Sequence, residues 1–308
     1  MRSAFRRRER EALTASRRFV GGDLGVLEER TAEIKDVRLR YYVGGEGPPL
    51  ILVHGLGGAA ANWAGVVPLL VARHRLLVPD LPGHAGSTPF PAATTLDPYA
   101  DRLDRLAELE AMEHAGVVGH SLGGLLGLRL AVNFPRRVSA LVLTASAGIR
   151  SSTREAERYL NLAAILRPTR RYARHREAIA QSPALRMLVF GYFGASDPEA
   201  MPDGAVDGFL SAMDMHTDTA TARRALVRDD PRLDLERVAC PVFLLWGARD
   251  NQITAQDAFE YARRLRAPLR MIADCGHLLI GERPDACSEG IEDFLGGLAA
   301  QPRFDRPS

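Results

Sequence analysis

Apolar positions in this chain follow two rhythms that alternate along most of its length. Residues 36–43, D-V-R-L-R-Y-Y-V, alternate loosely between polar and apolar, as a half-buried strand does, and Gly44, Gly45 and Gly47 follow as a turn. Residues 50–53 form a short apolar run that stops at His54 and Gly55, and 76–78 form another that ends at Pro79 and Asp80. Between them, 62–72 (N-W-A-G-V-V-P-L-L-V-A) reads as a helix with Pro68 as a blemish. In 99–114, Leu103, Leu106, Ala107, Leu109 and Met112 recur at helical spacing with charges on the remaining face, which predicts an amphipathic helix. Val117 and Val118 form the core of a very short strand. After Ser121, L-G-G-L-L-G-L-R-L-A-V predicts a mostly apolar helix ending near Pro135, and 138–143 is again strand-like. The rhythm resumes with a strand at 241–246, a helix at 254–266, a strand at 269–272 and a last helix at about 284–297.

Strands that are apolar on both faces and separated by helices predict an α/β fold, a mostly parallel central sheet flanked by helices. Between about 147 and 235 the rhythm changes. Helical patches (Y-L-N-L-A-A-I-L, then A-L-R-M-L-V-F-G-Y-F) replace strands, and four of the seven methionines fall there: Met187, Met201, Met213 and Met215. Methionine packs adaptable apolar surfaces. A helical cap inserted after the strand at 138–143 would lie over the carboxyl ends of the sheet, where open α/β sheets bind ligands. The expected organisation is a basic N-terminal extension at 1–24, a first core part at 25–146, a helical cap at 147–235, a second core part at 236–300 and a tail at 301–308.

Composition narrows the function. With 308 residues, 46% apolar and 25% charged, the chain reads as a globular protein, and a net charge of +2 gives no support for a nucleic-acid groove. Cys240, Cys275 and Cys287 are too few and too odd in number for a disulfide framework. Cys275 alone draws notice, two residues before His277. The first ten residues hold five arginines without an apolar stretch behind them, so no secretory signal or membrane span is expected and a cytoplasmic enzyme is the default.

The chemistry concentrates at G-V-V-G-H-S-L-G-G, residues 116–124. A serine hydroxyl is a weak nucleophile without a base, an orienting acid and an anion-stabilising pocket. Strand before and helix after Ser121 form the context of a nucleophile elbow, a strained turn in which Gly119 and Gly123 avoid collisions. The base is expected in D-C-G-H-L-L-I-G-E-R-P, where His277 follows a strand end beside Gly276. The acid is expected at Asp250 in G-A-R-D-N, after the strand at 241–246. Asp274 competes only by closeness in sequence. Backbone amides of Leu122, after the nucleophile, and of Leu56, in H-G-L-G-G, are the candidate oxyanion donors. His54, Gly55, Gly119, His120 and Gly123 are then motif-shaping residues. Ligand spacing for a metal is absent, and no cofactor is expected.

His54-Gly55-Leu56-Gly57-Gly58, Asp80-Leu81-Pro82-Gly83-His84-Ala85-Gly86-Ser87, Gly119-His120-Ser121-Leu122-Gly123-Gly124, Trp246-Gly247-Ala248-Arg249-Asp250 and Gly276-His277 resemble the α/β-hydrolase fold family, in its serine-nucleophile branch with a helical cap. The resemblance covers about residues 25–298, and within the cap it is one of position and helical character only. It implies a Ser121–Asp250–His277 triad acting through an acyl-enzyme on a small or medium, mainly apolar carboxylic ester. Carbon–carbon hydrolases of vinylogous diketones, lactonases and thioesterases share that triad. Many of the carbon–carbon enzymes carry tryptophan after the base, where this chain has Leu278. A small-molecule receptor with slow turnover is a further alternative. The partner in each case is a small molecule. Phe90, Met187, Phe190, Tyr192, Phe193, Met213 and Met215 are the candidate apolar pocket, with ordinary packing as the rival role for each. Arg150, Arg154 and Arg186 are candidates to bind a substrate carboxylate. The insertion is expected to set substrate choice and to leave the chemistry to the core.

Overall fold

The computed structural model describes residues 24–91, 95–150, 175–191, 194–211 and 215–300. Eight strands form one sheet: β1 (Glu28–Ile34), β2 (Val37–Gly44), β3 (Pro49–Val53), β4 (Arg75–Pro79), β5 (Ala115–His120), β6 (Val138–Thr144), β7 (Val242–Gly247) and β8 (Leu269–Ile272). Their order across the sheet is β1-β2-β4-β3-β5-β6-β7-β8. The β1–β2 and β2–β4 pairs are antiparallel, and every pair from β4 to β8 is parallel. The central strands β3, β5 and β7 are buried almost throughout. That burial is why they read as continuous apolar runs and not as alternating ones.

The parallel connections carry helices α1 (Asp97–Leu109) and α2 (Leu122–Asn133) early in the chain and α6 (Ala255–Leu265) late, and α7 (Pro284–Ala300) follows the last strand. Between β6 and β7 lies the helical insertion, with α3 (Arg176–Gln181), α4 (Asp203–Ser211) and α5 (Thr219–Arg228). Its own small core joins Ile179, Val189, Phe190, Ala195, Met201, Val206 and Leu210 to Leu278 of the sheet domain. The mostly parallel sheet and the inserted helical cap therefore agree with the pattern read from the sequence.

Two elements differ from expectation. Residues 62–72 are not one helix: a 3₁₀ turn at Ala60–Trp63 and a short helix at Val67–Leu70 replace it. Pro68 sits in the first turn of the second piece, where its missing N–H costs nothing, and it keeps the two pieces from joining. Strand β1 was not anticipated. Its sequence, E-E-R-T-A-E-I, is largely exposed because it is the sheet's edge and pairs only with β2. An edge strand without a buried face leaves no apolar alternation to read.

Candidate active site

Ser121 ends β5 and caps the amino end of α2 with φ 55° and ψ −116°. A non-glycine residue in that region is strained. The surroundings over-determine it: the Ser121 amide donates to Thr144 O at 3.0 Å, while its carbonyl accepts from Gly124 N and Ala147 N, each at 3.0 Å. The turn closes only over glycine. A Cβ on Gly119 would stand 2.2 Å from the carbonyl oxygen of Gly123, and one on Gly123 would stand 2.1 Å from that of Val53. The helix begins at Leu122, whose amide is among the first-turn donors that have no partner within the helix. Unpartnered first-turn amides favour an anion at a helix amino terminus, which keeps the Leu122 amide a candidate oxyanion donor.

The second candidate amide comes from the loop after β3. Gly58 N donates to Gly55 O at 3.0 Å, closing a turn with Leu56 and Gly57 at its centre, and Gly57 has φ +69°. A positive φ at the third turn position is the type II pattern, which suits glycine. The loop approaches the nucleophile closely, since a Cβ on Gly55 would lie 3.1 Å from Ser121 Cβ. His54 is a shaping residue here: its Nδ1 donates to Gly55 O at 2.8 Å and its Nε2 accepts from Leu81 N at 3.0 Å. Burial holds its imidazole neutral, with the pKa lowered to about 3. Asp80 braces the same region, accepting from Ala60 N at 2.8 Å, Arg40 Nε at 2.6 Å and Gly86 N at 3.2 Å.

His277 and Asp250, which lie on different strand-end loops, meet in space. The Nδ1 of His277 donates to Asp250 Oδ2 at 2.9 Å. The other carboxylate oxygen accepts from Gln252 N and Ile253 N, both at 2.9 Å, so the Asp250 carboxylate is held on both sides. Asp274 is elsewhere: it pairs with Arg249 at 2.5 Å, and both side chains are 63% exposed. His120 donates through Nε2 to the carbonyl of His277 at 2.8 Å, with the two rings 5.0 Å apart. It links the strand that leads into Ser121 directly to His277, and burial lowers its pKa to about 3.

Sequence reasoning missed Glu282. This buried carboxylate accepts from Gly276 N at 3.1 Å, from Ser196 N at 2.7 Å and from Asp197 N at 3.1 Å. It therefore ties the residue before His277 to the insertion. Burial raises its pKa and the amides oppose that shift. The insertion also holds His277 directly, because His277 N donates to Gly194 O at 2.7 Å. The only sequence signal for either role was an acidic residue inside an apolar stretch, L-L-I-G-E. The insertion, expected to set substrate choice, thus also contacts the backbone on either side of Gly276 and His277.

The pocket candidates part ways. Phe90 is buried in the main core, 4.7 Å from the Tyr99 ring and under the Arg102 guanidinium. Phe190 is buried in the insertion's core together with Leu278, and Met187 is exposed on the insertion. Met215 is half-buried beside His216, whereas Tyr192, Phe193, Met213 and Arg154 lie outside the described residues. Arg186 is not open to a ligand: it is buried and bonded to the carbonyls of Ala180 and Met201 and to Asp203. Arg150 contacts Gln256 and stands 3.5 Å from Asp257. Cys275 is buried, and burial pushes its thiol far up, the opposite of what a reactive thiolate needs.

Among the described residues, no helix is long and apolar enough to cross a membrane. The model of the alpha/beta hydrolase fold matches residues 48–284. The magnesium-chelatase 30 kDa subunit of Rhodobacter capsulatus is 33% identical over 267 residues, which cover 82% of this chain and 88% of that protein. The pimeloyl-[acyl-carrier protein] methyl ester esterase of Aromatoleum aromaticum is 32% identical over 259 residues, or 81% of this chain and 99% of the relative. A meta-cleavage product hydrolase from Pseudomonas fluorescens IP01 superposes with a TM-score of 0.69 at 22% identity, covering 87% of this chain and 98% of that one. With the sheet order, the inserted helices and a family match that spans both halves of the sheet, the chain belongs to the α/β-hydrolase fold family.

Proposed function

We propose that the protein is a serine hydrolase that cleaves the bond between a carbonyl carbon and its leaving group. The observation that carries this is a strained serine at a helix amino terminus directly after β5, joined through the His120–His277 hydrogen bond to a histidine that a carboxylate orients. Asp250 fixes the proton on Nδ1 of His277, which leaves Nε2 with the lone pair a general base requires. In the proposed cycle His277 takes the Ser121 proton as the oxygen attacks, and the amides of Leu56 and Leu122 receive the negative oxygen. His277 then returns the proton to the leaving group, and water repeats the sequence on the acyl-enzyme.

Two leaving groups fit that machinery. An alkoxide gives an ester hydrolase of small or medium, mainly apolar acyl groups, a reading supported by the methyl ester esterase relative, which matches over nearly its whole length. A resonance-stabilised carbanion gives a carbon–carbon hydrolase of a vinylogous diketone. That reading is supported by analogy of fold with the meta-cleavage product hydrolase, which shares the cap-bearing architecture over almost its full chain. Leu278, packed in the insertion's core, stands where many such enzymes place tryptophan. A fluorophosphonate probe should label the protein once, at Ser121. p-Nitrophenyl esters of graded chain length, assayed beside one coloured vinylogous diketone, then separate the leaving groups. Absence of labelling on folded protein, or labelling at another residue, refutes the serine mechanism.

A further inference from the structure

The amide of Leu56 lies at the end of a series of hydrogen bonds that begins in the insertion. The Nδ1 of His216 accepts from Ala85 N at 3.1 Å, so the ring proton resides on Nε2, which donates to Gly57 O at 3.0 Å. The Gly57 carbonyl and the Gly58 amide belong to one peptide group, and Gly58 N donates to Gly55 O at 3.0 Å. The Gly55 carbonyl in turn shares its peptide group with the Leu56 amide. His216, the 57–58 peptide and the 55–56 peptide therefore donate one to the next, and the last N–H is the candidate oxyanion donor. Hydrogen bonds in series polarise one another, by roughly 10–30% per bond in condensed phase. A fixed donor also needs no reorganisation when charge develops.

The seat of His216 is built on both sides. Thr217 N and Asp218 N donate to Gly83 O at 3.1 and 3.0 Å, docking this segment onto the loop after β4. The approach requires glycine, since a Cβ on Gly83 would stand 2.3 Å from Asp218 O. The His216 ring lies 5.6 Å from that of His84, edge-on, and His84 lies 5.2 Å from His54. Within the described residues these three rings do not form a metal-binding group. The rings of His54, His84 and His216 pack between the two loops, burial lowering the pKa of His54 and His84, and the Gly55 carbonyl receives one donor from the core, His54, and one from the series that starts in the insertion.

We propose that His216 is a positioning residue of the oxyanion hole, fixing and polarising the Leu56 amide through the Gly57–Gly58 peptide. The insertion would thus supply part of the transition-state stabilisation. The proposal rests on the acyl-transfer reading given above. Two neutral isosteres divide the ring's two bonds. In His216→Gln the side-chain amide reaches the Nε2 position and keeps the donation to Gly57. In His216→Asn the oxygen replaces Nδ1 and keeps only the Ala85 bond. Rates on p-nitrophenyl acetate are expressed per site titrated to completion with fluorophosphonate, so misfolded molecules drop out. In His216→Asn, kcat should fall about 10-fold, a fraction of the 10²–10³-fold cost of deleting an oxyanion donor, with KM almost unchanged. Affinity for an arylboronic acid, which forms a tetrahedral adduct, should fall in parallel, while affinity for the carboxylate product holds. His216→Gln should recover most of kcat. Equal losses in the two variants, a loss confined to KM, or an unmoved boronic acid affinity overturns the proposal and leaves the acyl-transfer reading standing. A wild-type protein that is not labelled at Ser121 overturns both.

Discussion

Replacing Asp250 by asparagine keeps the side chain's shape and changes the direction of one hydrogen bond. The carboxylate serves three donors, Gln252 N and Ile253 N on Oδ1 and His277 Nδ1 on Oδ2, each at 2.9 Å. Asparagine cannot satisfy all three. With its oxygen toward the backbone it keeps two bonds, together about 2 kcal/mol, and the flipped form would leave two amides facing an NH2 group. The first orientation wins and presents N–H to His277. The imidazole then moves its proton to Nε2 so that Nδ1 can accept, and Nε2 loses the lone pair that the proposed general base requires. A wrong tautomer of this kind costs about 10⁴ in kcat, or ~5.4 kcal/mol of barrier. Asp250→Ala makes the contrast. It orphans the two backbone amides, which lowers stability by roughly 2–4 kcal/mol, yet leaves the ring free to take the productive tautomer. The alanine variant should therefore be less stable than the asparagine variant and at least about 10-fold faster, on the same tautomer argument. The assays are the p-nitrophenol burst, urea unfolding, and the ¹⁵N shifts of the His277 ring. An asparagine variant within 10-fold of the wild-type rate, or one whose His277 keeps its Nδ1 proton, refutes the reasoning.

Glu282→Gln can keep its oxygen toward the amides of Ser196 and Asp197, but then sets its NH2 group against the amide of Gly276. Stability should fall by about 1–3 kcal/mol and kcat with it, as read by urea unfolding and ester turnover, and an unchanged kcat would remove Glu282 from the support of His277. Gly194→Ala places a Cβ 2.4 Å from Gln252 Nε2 and 3.0 Å from His277 Cβ, at φ +93°, so a lowered melting temperature and a lowered kcat are expected together. Retention of both would show that the insertion yields there without moving the base. Acid should weaken the fold through His54 and His120, whose pKa values are depressed from 6.5 to about 3 by burial. A depressed pKa contributes stability that is present above 6.5 and is lost as pH falls toward 3. At pH 4.5 each ring accounts for a loss of about 3 kcal/mol relative to neutral pH, on the order of 5–6 kcal/mol together. Urea unfolding free energies that stay level from pH 7 to 4.5 would contradict the neutral, buried assignment.

Much of the architecture was legible because it is local. Buried parallel strands such as β3 and β7 carry unbroken apolar runs, and α1 carries a charged face, so period and composition identify them without knowledge of their neighbours. Ser121 was legible for a related reason: a strand, a glycine-flanked residue and a helix in direct succession constrain one turn, and Gly119 is required by the Gly123 carbonyl within that same turn. What remained hidden depends on distant partners. β1 is stabilised by pairing with β2 and not by a buried face of its own, so its polar sequence carries no strand period. Nothing in the residues around Asp250 or His277 states that their side chains lie 2.9 Å apart, since the two loops are joined by the parallel β7–β8 pairing. The roles of Gly194, His216 and Glu282 are further from view. Each acts through a hydrogen bond to a backbone group of another loop, and a backbone group has no signature in the sequence that would mark it as a partner. The chain's local chemistry names the nucleophile, the base and the acid as candidates. Only the packing of the insertion against the loops after β3, β4 and β8 decides how firmly the parts are held, because that rigidity is a sum of contacts between segments far apart in the chain.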